Sequence, residues 1–206
     1  MNENWAAENL KTIRTLMERS AVYRRALAPV TMLTGIVGLA AGGVGWMTQC
    51  DSPRRFILFW FAVAGASLAG SFVVVRRQAI RDKESFWSPP TRRVAQAMLP
   101  CLYIGLIAGL MIAFVADEED LTWALVPIWM ALYGAALHAA GFFMPRGIKL
   151  LGWLFIIGGT MLMIGLALQG SAPEFRYTHV AMGAVFGGLH LAYGIYLHFT
   201  EKKNAS

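Results

Sequence analysis

The stretch RRQAIRDKESFWSPPTRR, residues 76 to 93, lies between two long apolar runs and decides the fold. It carries two acids, Asp82 and Glu84, against six basic residues. The basic residues are Arg76, Arg77, Arg81, Lys83, Arg92 and Arg93. Lys and Arg resist transfer across a bilayer, so a basic segment between apolar runs stays on the cytoplasmic side of a membrane protein. This segment therefore predicts the side on which every other connection lies.

The composition is typical of a membrane protein. Of the 206 residues, 57% are hydrophobic and only 15% are charged, whereas soluble domains carry about 25% charged residues. Mean hydropathy is +0.52. A helix needs about 20 apolar residues to cross the bilayer core. Runs of this length occur at about 27–47, 56–75, 94–116, 121–144, 150–168 and 179–199.

These runs predict an all-α polytopic membrane protein with six transmembrane helices in three antiparallel hairpins. Short connections make successive spans neighbours in such a bundle. Residues 1–26 are expected to form an amphipathic cytosolic or interfacial helix, residues 27–199 the transmembrane domain, and residues 200–206 a cytosolic tail.

The distribution of charge predicts the orientation. With both termini in the cytoplasm, the inner segments hold fifteen of the eighteen basic residues. The outer segments hold the other three, Arg54, Arg55 and Arg176. This bias follows the positive-inside rule. It explains the net charge of +6, so we exclude nucleic acid as a partner. The N-terminal segment is too acidic for a transit peptide and has no signal cleavage site. We therefore expect a multi-pass protein of the bacterial cytoplasmic membrane.

The N-terminal segment carries an apolar stripe and four basic residues that are candidates for binding a partner or lipid, namely Arg14, Arg19, Arg24 and Arg25. Two interpretations stay open. The helix docks a cytosolic or membrane protein partner, or it lies in the headgroup region of the lipid bilayer, held by its apolar stripe and by anionic lipid.

The segment IRTLMERSAVY, residues 13 to 23, resembles the opening of an uncharacterised group of bacterial multi-pass membrane proteins of about this size. The resemblance is carried by Met17, Glu18, Arg19 and Ser20 and by the position of the first span. It implies a membrane location and no particular activity.

Small residues recur inside the spans. Gly38 and Gly42 form one G-x-x-x-G motif, and Gly105 and Gly109 form another. Such motifs let helix backbones approach closely, so we expect these four glycines to pack helices together. A homo-oligomer is compatible with the same faces.

Two segments of the chain have similar sequences. YGAALHAAGFF, from residue 133, and FGGLHLAYGIY, from residue 186, both set two glycines seven residues apart around a Leu-His pair. This similarity indicates repeated helical hairpins, which are common in transporters. Independent selection of small helix faces explains it equally well.

The spans hold few groups that could do chemistry. None of them contains Asp, Glu, Lys or Arg, which disfavours ion-coupled transport. The chain carries no catalytic triad pattern, no metalloprotease motif and no phosphate-binding glycine loop. The acidic turn at residues 117–120 lacks the spaced ligands of a calcium loop. We therefore predict no enzyme activity, no catalytic residue and no metal site.

The histidines leave one cofactor hypothesis open. His138 and His190 lie on different spans, and two histidines on facing helices can be axial ligands of a b-type haem. The alternative is that each imidazole hydrogen-bonds a neighbouring helix. His179 and His198 are expected at the two membrane interfaces.

The leading functional hypothesis is a non-enzymatic membrane module. It would act as a sensor, anchor or accessory subunit that engages a partner on the cytoplasmic side. The alternatives are a small-solute facilitator built from repeated hairpins and haem binding through His138 and His190.

Overall fold

The computed structural model describes residues 21–48, 52–83, 85–116, 119–145, 147–169, 174 and 176–203. The side chains of residues 21–25, 90, 116, 119, 120 and 201–203 are not described. The helices are α1 (Ala21–Thr48), α2 (Pro53–Arg81), α3 (Pro89–Met111), α4 (Glu119–Ala140), α5 (Gly147–Gln169), α6 (Tyr177–Met182) and α7 (Gly188–Lys203). A π-helical turn, Ile112–Ala116, extends α3, and a second, Gly183–Gly187, joins α6 to α7. We call α6, this turn and α7 together the sixth span.

Six helices are long and apolar enough to cross a membrane, and the described residues contain no strand. The predicted all-α, six-span class is therefore confirmed. The boundaries differ at several places. α1 begins at Ala21 and continues without a break past residue 27, so Pro29 lies inside a helix rather than in its first turn. Membrane helices tolerate such a proline because neighbouring groups satisfy the freed carbonyl.

The basic stretch is mostly helical rather than a loop. α2 continues to Arg81, so three of the six basic residues lie on its last turns. α3 begins at Pro89, where a missing N–H costs nothing, and this places two more arginines in the first turns of α3. Only the connection from Asp82 to Ser88 separates the two helices. We call the end of the bundle where α2 finishes and α3 begins the basic end.

The fourth span is shorter than expected. The apolar run predicts a span over residues 121–144, but α4 ends at Ala140 and residues 141–144 form a turn. α5 begins at Gly147, three residues before the predicted start, so the two helices are joined by a tight connection. Gly141 allows this connection, because a side chain there would meet the backbone and side chain of Lys149.

The six spans form two groups of three with matching contacts. The first group is α1, α2 and α3, and the second is α4, α5 and the sixth span. In each group the first span packs along the second, as α1 does along α2 and α4 along α5. The first span of each group also packs along the third span of the other group, as α1 does along the sixth span and α4 along α3. α1 runs away from the basic end and α4 runs towards it. The two groups therefore have opposite orientations.

This arrangement departs from three sequential hairpins. The hairpins of the first and second spans and of the third and fourth spans are packed as expected. The sixth span instead packs closely on α1, and it meets α5 through large side chains such as Phe155 and Phe186, whose ring centroids are 5.2 Å apart. The reason is that glycines on α1 and the sixth span permit a backbone approach that bulky residues on α5 prevent.

Two apolar clusters fill the interior. The first, away from the basic end, is built around Phe56, Trp60, Leu125 and Val126. The second, nearer the basic end, is built around Met130, Leu137, Leu151 and Phe155. α4 contributes to both clusters and is the most buried span, whereas α2 is the least buried. Large apolar side chains elsewhere point outward, as expected for helices surrounded by lipid.

Candidate functional site

The basic residues between positions 76 and 93 form an exposed surface at the basic end, which we call the basic rim. Its members are Arg76, Arg77, Arg81, Lys83, Arg92 and Arg93, and all six are exposed. No ion pair joins the five arginines to an acid among the described side chains. Since α2 and α3 carry five of the six residues, helices rather than a flexible loop hold most of the rim.

The connection between α2 and α3 is fixed by local contacts. Gln78 Nε2 donates to Asp82 Oδ2 at 3.0 Å, which holds the last turn of α2. Lys83 adopts a left-handed backbone conformation, with φ of 56°, and this turns the chain sharply. Phe86 then packs on Phe72 of α2, with ring centroids 4.7 Å apart. These contacts give the rim a defined geometry.

The start of α3 is held by hydroxyl groups. The hydroxyls of Ser88 and Thr91 are 2.9 Å apart. Thr91 Oγ1 also donates to the carbonyl of Phe86 at 2.9 Å. The backbone of Phe86 is therefore tied to the first turn of α3.

The remaining basic candidates are described only in part. Arg14 and Arg19 lie outside the described residues, as does the predicted amphipathic helix up to residue 20. Arg24 and Arg25 lie on the first turns of α1, but their side chains are not described. Lys149, on the first turn of α5, places its Nζ 3.5 Å from the ring centroid of Phe142.

His190 is enclosed in the interior with both ring nitrogens occupied. Its Nε2 lies 2.7 Å from the hydroxyl of Tyr133 on α4, and its Nδ1 lies 2.6 Å from the carbonyl of Phe186. The side chain is 3% exposed. The rings of Phe155 and Tyr133 pack against it, with centroids 5.4 and 5.3 Å away. This geometry leaves no nitrogen of His190 for iron.

The structure does not bring His138 to the same place. Its ring packs edge-on against Phe142 and Trp153, with centroids 5.7 and 5.5 Å away. Its Nδ1 is buried without a hydrogen-bond partner among the described residues. The two histidines thus have separate aromatic neighbours, and the arrangement gives no support to an axial haem pair.

Sequence reasoning missed a buried aromatic cluster around His179. This residue, which we expect at a membrane interface, lies on α6 at the start of the sixth span and is fully buried by other parts of the protein. Its ring packs against Phe56, Phe59 and Trp60, with centroids 4.9, 5.5 and 6.3 Å away. Gly45 makes this burial possible, because the imidazole ring occupies the space that a Cβ atom at position 45 would take. No sequence pattern links Gly45 to a residue more than 130 positions away.

Gly38 and Gly42 lie in the contact between α1 and the sixth span. A Cβ atom on Gly38 would lie 2.9 Å from the Cα of Gly187, and one on Gly42 would lie 2.8 Å from the Cα of Gly183. Both neighbours are backbone atoms and cannot move aside cheaply. These four glycines therefore let the two helices approach backbone to backbone.

Aromatic side chains, rather than the backbone of another helix, pack against Gly105 and Gly109 on α3. The indole of Trp129 on α4 faces both glycines, and its Nε1 donates to the carbonyl of Gly105 at 2.8 Å. Phe61 of α2 also reaches Gly109. The second motif thus makes room for aromatic side chains, a different use from the backbone approach expected of it.

Two hydroxyl groups inside the spans are satisfied by their own helices. Thr31 Oγ1 donates to the carbonyl of Leu27 at 2.8 Å, and Thr160 Oγ1 donates to that of Ile156 at 2.9 Å. No group of three or more His, Cys, Asp or Glu side chains that could hold a metal occurs in the part of the chain that the structure describes. The side chains of the acidic turn at 117–120 lie outside that part.

Comparisons with protein-family models, with curated proteins and with solved structures find no match to this chain. The geometry of the chain itself is therefore the basis for a proposed function.

Proposed function

We propose that the protein is a non-enzymatic module of the bacterial cytoplasmic membrane, with both termini in the cytoplasm, that engages an acidic protein partner through the basic rim. It serves that partner as a sensor, anchor or accessory subunit. The observation that carries the proposal is the exposure of all six basic side chains of the rim. The resemblance of residues 13–23 to bacterial membrane proteins supports the location.

The length of α2 favours a protein partner over lipid alone for part of the rim. The apolar run on α2 ends at Val75, and six further residues of helix carry Arg81 about 9 Å beyond it. The headgroup layer on each side of a bilayer is about 5–8 Å thick. Arg76 and Arg77 therefore meet lipid headgroups, whereas Arg81 and Lys83 reach the aqueous side.

The charge distribution supports the orientation. Arg54 and Arg55 are the only basic residues on the first turn of α2, whereas the basic end carries the whole rim. Lys and Arg near the ends of spans are retained in the cytoplasm. The basic end therefore faces the cytoplasm in this proposal.

The test is affinity purification of the tagged protein from its native membranes after mild crosslinking. Arg81→Gln combined with Lys83→Gln removes two charges from the aqueous part of the rim. Arg54→Gln combined with Arg55→Gln removes two charges from the other end of the same helix and is the matched control. We expect one protein to co-purify with the wild type and the control, and to be lost from the rim variant.

Ionic strength provides a second readout, because exposed charges are screened within about 8 Å at physiological salt. We expect retention of the partner to fall as salt is raised. Equal recovery with the rim variant and the control would refute the proposal. If no specific protein is recovered and the rim binds only to anionic vesicles, the rim is a lipid-binding surface and not a docking site for a protein.

A second candidate function is a small-solute facilitator. The observation that favours it is the opposite orientation of the two three-span groups, because transporters are often built from such inverted repeats. Against it, Tyr133, Phe155, Phe186 and His190 occupy the interior between the fourth, fifth and sixth spans. Glycerol-driven swelling of proteoliposomes, compared with empty liposomes, tests this function directly. Equal swelling rates of proteoliposomes and empty liposomes would refute the facilitator function.

A further inference from the structure

A groove lies between α1 and the sixth span, near the end of the bundle opposite the basic rim. Its volume is about 370 Å³. Its walls include Leu39, Gly43, Trp46, Val180, Gly183 and Ala184. These residues belong to the lipid-facing side of the bundle, where Gly43, Val180 and Ala184 are exposed. The groove is therefore open to the membrane.

Two local features keep the groove open. Nothing lies within 4 Å of the position that a Cβ on Gly43 would occupy, so the α1 wall is bare backbone. On the other wall, Gly183 and Ala184 belong to the π-helical turn Gly183–Gly187. Such turns are rare inside α-helices and frequently mark functional sites. The neighbouring contact of Gly42 with Gly183 closes the floor of the groove.

A cation is held at the mouth of the groove. The guanidinium of Arg176 lies 4.8 Å from the ring centroid of Trp46 and 5.5 Å from that of Tyr177. The two rings pack edge to face, with centroids 5.2 Å apart. Glu174 accepts from Arg176 Nε at 2.7 Å, and the Arg176 side chain is still 45% exposed. The guanidinium is thus positioned by its neighbours and open to a further anion.

From this geometry we infer that the groove binds one glycerophospholipid of the adjacent leaflet. Its phosphate contacts Arg176 at the level of Trp46 and Tyr177, where aromatic and basic residues meet headgroups. Guanidinium groups bind phosphate oxygens with two parallel hydrogen bonds. One acyl chain then follows the wall from Trp46 to Leu39, a helix rise of about 10 Å. The leaflet is the outer one in the proposed orientation, but the inference does not depend on that orientation.

The experiment is native mass spectrometry of the full chain in mild detergent, titrated with phosphatidylglycerol. Gly43→Leu places a side chain in the groove, and its Cβ meets no atom of the protein within 4 Å. Gly65→Leu is the matched control, because Gly65 is an exposed helical glycine of α2 that also has nothing within 4 Å. We expect wild type and control to retain one lipid, and Gly43→Leu to weaken retention at least tenfold.

The headgroup contact is tested separately with Arg176→Gln. Loss of a charge-assisted contact lowers affinity roughly tenfold. We therefore expect Arg176→Gln to weaken binding of phosphatidylglycerol by this factor and to leave binding of diacylglycerol, which has no phosphate, unchanged. Gly43→Leu should weaken binding of both lipids.

Three results would overturn the inference. Equal retention by Gly43→Leu and Gly65→Leu would show that lipid does not occupy the groove. Equal loss of both lipids in Arg176→Gln would exclude a phosphate contact. A wild-type dimer that becomes a monomer only in Gly43→Leu would assign the groove to a second copy of the chain.

Discussion

The contact between α1 and the sixth span is tested by adding a single methyl group at Gly42. In Gly42→Ala the new Cβ would lie 2.8 Å from the Cα of Gly183, whereas ordinary contacts begin at 3.4 Å. The helices must therefore separate by about 0.6 Å at this point, which forfeits a quarter or more of the dispersion energy of each contact involved. The matched control is Gly43→Ala, one residue along, where the new Cβ meets no atom within 4 Å.

The two substitutions share the same change in helix propensity, which favours Ala by up to about 1 kcal/mol. Overpacking costs about 1–3 kcal/mol and applies only at Gly42. The free energy of unfolding should therefore fall by about 1–2 kcal/mol in Gly42→Ala. It should stay constant or rise slightly in Gly43→Ala.

The measurement is thermal unfolding in mild detergent, followed by intrinsic tryptophan fluorescence. For a chain of this size, 1 kcal/mol corresponds to about 2–4 °C in Tm. Because the change in helix propensity cancels between the two variants, we expect Tm of Gly42→Ala to lie roughly 2–12 °C below that of Gly43→Ala. Equal Tm values for the two variants would refute a backbone-to-backbone contact between α1 and the sixth span.

Three further predictions concern the interior and the orientation. Tyr133→Phe removes the hydroxyl that meets His190 at 2.7 Å; the free energy of unfolding should fall by about 1 kcal/mol, and an unchanged Tm would contradict the bond. Since both ring nitrogens of His190 are occupied, protein purified from haem-supplemented cells should be colourless; a Soret band lost in His138→Ala would refute this. In a background whose native cysteines are replaced by serine, Glu174→Cys should react with impermeant maleimide in spheroplasts, and Lys83→Cys only after lysis. The reverse labelling pattern would invert the orientation.

Much of the fold was predictable because the bilayer constrains the sequence strongly. Apolar runs of about 20 residues give the number of spans. The boundaries were less predictable. α2 extends past its apolar run to Arg81, because charged residues are good helix formers once they leave the bilayer core. α4 ends four residues before its apolar run does, because Gly141 permits a tight turn into α5.

The candidate sites were only partly predictable. The basic rim follows from composition, and the structure adds that helices carry most of it. The hydrogen bond between His190 and Tyr133 joins residues 57 positions apart. The sequence suggested pairing His138 with His190 because they lie on different spans, as two axial haem ligands can, but the depth and ring direction of each depend on packing. The aromatic cluster at His179 depends in the same way on its contact with Gly45.

The sequence by itself determined that this protein is a six-span helical chain and where its positive charge gathers. These properties depend on transfer free energies that are additive along the chain, so each segment can be assessed without knowing its tertiary contacts. The tertiary structure decided which span lies beside which. It paired α1 with the sixth span, placed rings rather than a backbone at Gly105 and Gly109, and opened a groove beside Gly43. Helix pairing in a membrane depends on the fit of small and large side chains across helices far apart in the chain, and one helix alone does not contain that information.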